Sequence, residues 1–138
     1  MNSIKVFSPA SVSNVCCGFD VLGFSIAGLG DELIITESDS KKVNIITVNG
    51  YEVPLCAEMN TASIAAQSML DFLNVKSGFD IEINKNIKPG SGIGSSAASA
   101  VGAVYGINEL LGSPLKRQEL LKFAIQGEFV SSKTAPAD

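Results

Sequence analysis

The densest chemistry in the chain lies in ten consecutive residues: Pro89, Gly90, Ser91, Gly92, Ile93, Gly94, Ser95, Ser96, Ala97 and Ala98. Three glycines within five positions remove the Cβ atoms that would hold a bulky anion off the backbone. They also permit the φ > 0 angles at which successive N–H groups converge. A strand-like run precedes the glycines, and a long apolar run follows as a helix beginning at about residues 93–96. The unpaired N–H groups of that helix and the positive end of its dipole face back into the loop. Ser95 and Ser96 then place two hydroxyls in the first turn, able to bond phosphate oxygen or to ligate a metal that bridges phosphates. These are the parts of a nucleotide phosphate site. The alternative is a tight strand-to-helix turn with close helix packing, which needs the glycines but not the proline and serines beside them. The familiar phosphate loops do not match. No Gly-Lys pair exists for a Walker A loop, and a dinucleotide fingerprint through Gly92, Gly94 and Ala97 expects an acidic residue about 20 positions on, near Arg117.

Other groups gather around this loop. Lys85 and Lys88 arrive at its edge from the strand before it, where each is either a point charge for phosphate or a solvated cation. At about 1.5 Å per residue, the helix over 93–111 runs away from the loop for roughly 28 Å. A second helix over 114–129 returns by nearly as much and brings Glu128 back. Glu128 continues the stripe of Leu121, Ala124 and Ile125, so its carboxylate points inward, where an unpartnered charge is strongly unfavourable. A divalent ion shared by the serine hydroxyls, Glu128 and phosphates supplies the missing positive charge. Magnesium suits oxygen ligands with few carboxylates. The alternative is that Glu128 frays outward at the helix end. Nearer the start, irregular residues 10–23 hold Asn14 and Asp20, which either grip a polar substrate or cap turns through side chain to backbone bonds.

The elements that position these groups are legible from pattern. Strands are expected over 4–8, ended by Pro9, and over 32–37 and 43–48, the latter two rich in Ile and Val. From Asn60, a plausible N-cap, the residues Ala62, Ala65, Ala66, Met69, Leu70 and Leu73 recur at the spacing of one buried helical face. Residues 79–84 alternate apolar and polar as a strand with one packed face. The apolar helix over 93–111 is expected to be buried between neighbours. Gly112 ends it, Ser113 can cap the next helix, and Pro114 suits its first position.

Composition sets the outer limits. The chain has 138 residues, 46% of them hydrophobic, enough to bury one core. A net charge of −4 argues against a nucleic-acid surface or an anionic membrane as partner. With no histidine, Ser-His and Cys-His nucleophile pairs and the common zinc sites are excluded within this chain. Cys16, Cys17 and Cys56 form neither a disulfide framework nor a CxxC motif. The simple reading is a reduced, cytoplasmic protein without a membrane span.

The Gly-Ser-Gly-Ile-Gly-Ser-Ser-Ala core of the loop resembles that of the small-molecule kinase superfamily that includes galactokinase, homoserine kinase, mevalonate kinase and phosphomevalonate kinase. The opening Ser8, Pro9, Ala10 and Ser11, with Asn14 and the Gly-Phe-Asp-Val-Leu-Gly run at 18–23, is most similar to the homoserine kinases. The agreement runs from residue 4 to about residue 130. It implies an α+β fold, specifically the two-layer N-terminal lobe with a mixed sheet packed against helices, like the second domain of ribosomal protein S5. It implies ATP and magnesium (Mg2+) as cofactors, L-homoserine as substrate, and a homodimer of the full-length protein. Carried over by position, Asn14 and Asp20 hold the amino-acid end of homoserine, Asn60 and Lys85 contact the nucleotide, and residues 88–98 wrap the phosphates. Ser96 and Glu128 ligate the metal. No side chain of the family is firmly assigned as a base, which fits phosphoryl transfer by alignment and charge stabilisation. The chain departs from the family at its end. Pro136 stands where a histidine of a His-x-Asp-Asn motif is expected, followed by Ala137 and Asp138. The expectation is of a nucleotide-binding N-terminal domain over 1–138 with the C-terminal lobe absent; the alternatives are a kinase for another small alcohol of the same superfamily, against which the run at 18–23 argues, and a nucleotide-binding fragment without turnover.

Overall fold

The computed structural model describes residues 2–12 and 23–134. Seven elements follow in order: β1 (Ser3–Val12), β2 (Phe24–Ser38), β3 (Val43–Gly50), α1 (Thr61–Leu73), β4 (Gly78–Lys85), α2 (Ser95–Leu110) and α3 (Arg117–Thr134). The strands form one mixed sheet in the order β1-β2-β4-β3. β2 runs antiparallel to both β1 and β4, whereas β3 and β4 are parallel. That parallel pair needs a crossover, and α1 supplies it. The α+β expectation of a mixed sheet against helices therefore holds.

Period-two alternation decides which strand face is covered. Leu33 and Ile35 of β2 stand opposite Ile83 and Ile81 of β4, and Val6 and Ile4 of β1 stand opposite the same two β2 residues. All except the half-buried Ile4 belong to the buried core, with Phe79, Met69, Leu70, Val104 and Ile107. The small residues of α2 have a packing reason. A Cβ on Gly102 would lie 2.9 Å from Leu33 Cδ1, and one on Gly106 would lie 2.5 Å from Ile35 Cδ1, so α2 presses its backbone onto the sheet. α3 rests on α1 and α2.

Several boundaries differ from the sequence pattern. β1 does not stop at Pro9 but continues to Val12, with a register shift between Pro9 and Ser11. It is an edge strand, where a residue without an N–H is tolerated. β2 is far longer than 32–37, because its first residues pair with the extended end of β1. Gly112 (φ 85°) ends α2 as expected, with Gly112 N–H bonded to the Glu109 carbonyl and Ser113 N–H to that of Asn108, the Schellman pattern. Ser113 does not cap the next helix, and Pro114 is not its first residue. The buried Asn108 amide instead clamps the linker, donating to the Leu115 carbonyl and accepting from the Leu115 N–H. The Glu119 carboxylate then accepts from the Lys116 N–H, so α3 starts at Arg117.

The buried stripe of α3 is also displaced by one position from the expected one. Leu120, Phe123, Ala124 and Gly127 face inward, while Leu121 and Ile125 are exposed. Glu128 is half-buried at the margin of this face.

Candidate functional site

The glycine loop leaves β4 through Asn86 and Ile87 and re-enters regular structure at Ser95. Gly90, Gly92 and Gly94 all have positive φ, 76°, 80° and 77°. These values explain the glycines directly, since L side chains rarely adopt that region. A Cβ on Gly90 or Gly92 would meet nothing within 4 Å, so their open side faces solvent. Gly94 is the N-cap of α2 and offers no side-chain bond to the first turn. The early N–H groups of α2 therefore receive no side-chain cap from Gly94, the arrangement found where helix starts bind anions.

The loop is pinned at both ends. The Ser95 hydroxyl donates to the Ile87 carbonyl at 2.9 Å, and Ser11 N–H donates to the Ile93 carbonyl at 2.9 Å. Ile93 packs with Ala10, Ile87 and Ala98 in a small apolar cluster under the loop. Ser95 is thus buried and committed, whereas Ser96 is exposed, and its hydroxyl bonds no described residue. Of the two first-turn serines, Ser96 is the one whose hydroxyl has no partner among the described residues.

A cleft of about 310 Å³ opens against this loop. It gathers Asn60, Lys85, Pro89, Gly90, Gly92, Gly94, Ser95 and Ser96 from the residues expected by sequence, and adds Val53, Pro54, Met59, Thr61 and Ser99. Val53, Pro54 and Met59 give it an apolar wall. Asn60 fixes that wall, since its side chain accepts from Ala62 N–H at 3.0 Å, capping α1, and donates to the Pro54 carbonyl at 2.7 Å. The N-cap expectation for Asn60 holds. Lys88 and Ser91 are exposed on the loop, where the Ser91 hydroxyl donates back to the Lys88 carbonyl. Ala97 is half-buried and Ala98 buried.

Lys85 is neither a solvated cation nor an open point charge. Its ammonium is buried and donates to the Asp31 carboxylate, to the Ser95 carbonyl at 2.6 Å and to the Ser99 hydroxyl at 3.0 Å. An ammonium has three donors, and all three are in use. The other Asp31 oxygen accepts from the N–H groups of Asn86 and Ile87 at 2.7 and 2.9 Å. Burial pulls the Lys85 ammonium below the ordinary lysine range, opposed first by its hydrogen bond to Asp31 and the charge of that carboxylate, then by the charge of Glu128. Asp31 was not singled out by sequence, although a signal existed: it continues the inward alternation of Leu33 and Ile35, as Lys85 continues that of Ile81 and Ile83.

The charge of Glu128 reaches Lys85 beneath the loop, although Glu128 is not among the residues that line the cleft. Its Oε1 is buried and has no hydrogen-bond partner among the described residues. The helix contacts agree with that placement: Gly127 packs on Thr61 and Ala65, and the Thr61 hydroxyl donates to the Ser96 carbonyl at 3.2 Å. Among the described residues no group of three or more His, Cys, Asp or Glu is arranged to hold a metal ion. Asn14, Asp20, Cys16 and Cys17, like Pro136, lie outside the described residues. No described helix is long and apolar enough to cross a membrane.

The mixed four-stranded sheet against three helices, with β4 feeding a glycine-rich loop into the start of α2, is the fold of the N-terminal half of the small-molecule kinases. The chain belongs to the GHMP kinase N-terminal domain family, whose pattern matches residues 60–138. It is 40% identical over 150 aligned residues to a homoserine kinase of Chlorobium phaeobacteroides, covering 100% of this chain and 47% of that protein. The crystal structure of a homoserine kinase from Cytophaga hutchinsonii superposes with a TM-score of 0.92 at 47% identity, over 98% of this chain and 44% of that one. A mevalonate kinase shares the fold, with a TM-score of 0.73 at 20% identity over 96% of this chain and 48% of that one. The chain spans about half the length of the curated relatives it matches.

Proposed function

We propose that residues 1–138 are the nucleotide-binding N-terminal domain of an ATP-dependent homoserine kinase, which transfers the γ-phosphoryl group of ATP to the hydroxyl of L-homoserine. The products are O-phosphohomoserine and ADP, a step toward threonine, in the cytoplasm. The observation that carries this reading is the pinned loop with three positive-φ glycines, on a chain 47% identical to a solved homoserine kinase.

In this reading the early N–H groups of α2 and the loop backbone hold the phosphates, and the Val53, Pro54 and Met59 wall receives the base. Ser96 and Glu128 suit magnesium. One brings a hydroxyl without a partner among the described residues, the other a buried carboxylate oxygen that no described donor satisfies. Two protein ligands are few, as is common where phosphates and water complete a magnesium site. When bound, the ion would neutralise charge on the phosphates. Catalysis then rests on alignment and charge stabilisation. Asn14 and Asp20 are assigned to the amino-acid end of homoserine, and the full-length protein to a homodimer.

Because Pro136 stands where the family pattern expects a histidine, a nucleotide-binding unit without turnover is the second reading. Calorimetric titration with ATP, with and without magnesium, tests the shared part. Magnesium-dependent binding weakened by both Ser96→Ala and Glu128→Ala is expected. Release of ADP that requires homoserine, measured next, separates a kinase from a binding unit.

A further inference from the structure

The buried Asp31–Lys85 pair has no place in the reaction just described, since neither side chain has an atom free for a ligand. Burying two charges is expensive, and such pairs are often replaceable by apolar residues without loss of stability. A reason for this one is visible in where its bonds go. Asp31 takes the N–H groups of Asn86 and Ile87, the residues through which the chain leaves β4 for the loop. Lys85 takes the carbonyl of Ser95 and the hydroxyl of Ser99, the first and second turns of α2. The pair therefore ties the exit of the loop to its re-entry, across a segment in which a Cβ on Gly90 or Gly92 would meet nothing within 4 Å.

We propose that Asp31 and Lys85 are positioning residues that hold the two stems of the glycine loop in the geometry that directs the first N–H groups of α2 into the cleft. The significance for binding rests on the nucleotide reading above, whereas the structural effect does not. Lys85 acts through Ser95 and Ser99 and not by touching phosphate.

The test compares the 138-residue chain with the double variant Asp31→Leu/Lys85→Met, which removes the charges together, and with Ser99→Ala, which removes one tie and leaves the pair intact. Amide hydrogen exchange without ligand and ATP affinity with magnesium are both read. The expected result is a folded double variant in which exchange rises at residues 86–98 while the amides of β2, β4 and the second half of α2 keep their protection. ATP affinity falls by about tenfold or more, the scale of losing one hydrogen bond to a charged phosphate oxygen. Ser99→Ala shows a smaller rise confined to the same stretch. If the double variant does not fold, Ser99→Ala decides by the same criterion.

Unchanged exchange at 86–98 overturns the proposal, whatever happens to affinity. Weakened ATP binding with unchanged exchange assigns Lys85 to direct nucleotide contact. A parent chain that binds no ATP, but whose variants loosen 86–98 selectively, supports the positioning role and rejects the nucleotide reading.

Discussion

Gly127 of α3 lies directly on Ala65 of α1: a Cβ at Gly127 would stand 2.8 Å from Ala65 Cβ and 2.9 Å from the Thr61 carbonyl oxygen. This close approach sets how near α3, and with it the next residue Glu128, lies to α1. Helix propensity favours alanine over glycine by about 1 kcal/mol, but the contact is with backbone and a packed Cβ that cannot rotate away. Overpacking of this kind costs about 1–3 kcal/mol. Gly127→Ala is expected to destabilise the chain in urea unfolding and to weaken the magnesium dependence of ATP binding by shifting Glu128. A gain in stability equal to the propensity term would show that α3 is free to move.

Ser95 and Ser96, adjacent in the first turn of α2, should respond oppositely to the same substitution. Ser95→Ala deletes a buried hydroxyl and leaves the Ile87 carbonyl without its donor, a loss of about 1–2 kcal/mol. Ser96→Ala removes an exposed hydroxyl and should leave stability within about 0.5 kcal/mol. Nucleotide affinity in the presence of magnesium should fall for Ser96→Ala. Thermal unfolding and calorimetry on the two variants check this, and equal stability losses would refute the separation of roles.

Glu128→Gln probes the orphaned carboxylate oxygen. The substitution removes a half-buried charge whose Oε1 has no described partner, so the ligand-free chain should lose less than about 0.5 kcal/mol. The increment that magnesium adds to ATP affinity should disappear, while affinity without magnesium stays the same or rises as repulsion between carboxylate and phosphate is relieved. Titrations at fixed ATP with and without the metal provide the check. A large loss of ligand-free stability would mean that Glu128 is a structural residue.

Much of this site was legible because glycine and capping chemistry are local. The loop at 89–98, the N-cap at Asn60 and the C′ role of Gly112 each depend on a few neighbours, and all three stand in the structure as expected. The phase of α3 was not legible. Leu120 and Leu121 are both apolar, Ala124 and Ile125 likewise, so two stripes one residue apart fit the same spacing. The contact that decides between them belongs to Gly127, which has no hydrophobicity to count. The start of α3 was misplaced for a different reason: the clamp from Asn108 to Leu115 is a tertiary bond that outweighs the local preference of Ser113 and Pro114. For Lys85 the pattern leaves only a phosphate point charge or a solvated cation to choose between, because its partner, Asp31, lies 54 positions earlier. The alternation that carries both residues to the inner face was present in each strand, but only the β2–β4 pairing brings them together.

The same pair gives stability a defined pH dependence. Burial lowers the Lys85 pKa, with Asp31 and then Glu128 opposing the shift. Between that lowered value and the ordinary lysine value of about 10.4, the unfolded chain holds a proton that the folded chain has released. The free energy of unfolding therefore rises with pH through this window, by up to about 1.4 kcal/mol per pH unit from this one group. Below the window both states are protonated, above it both are neutral, and the slope vanishes. Lys85→Met removes the contribution. Urea unfolding of the parent and Lys85→Met, from neutral pH to about 10.5, should show the parent gaining on the variant as pH increases. A parent that instead loses ground would mean that Asp31 holds the charged ammonium more strongly than burial opposes it, and the sign assigned to the pair would be reversed.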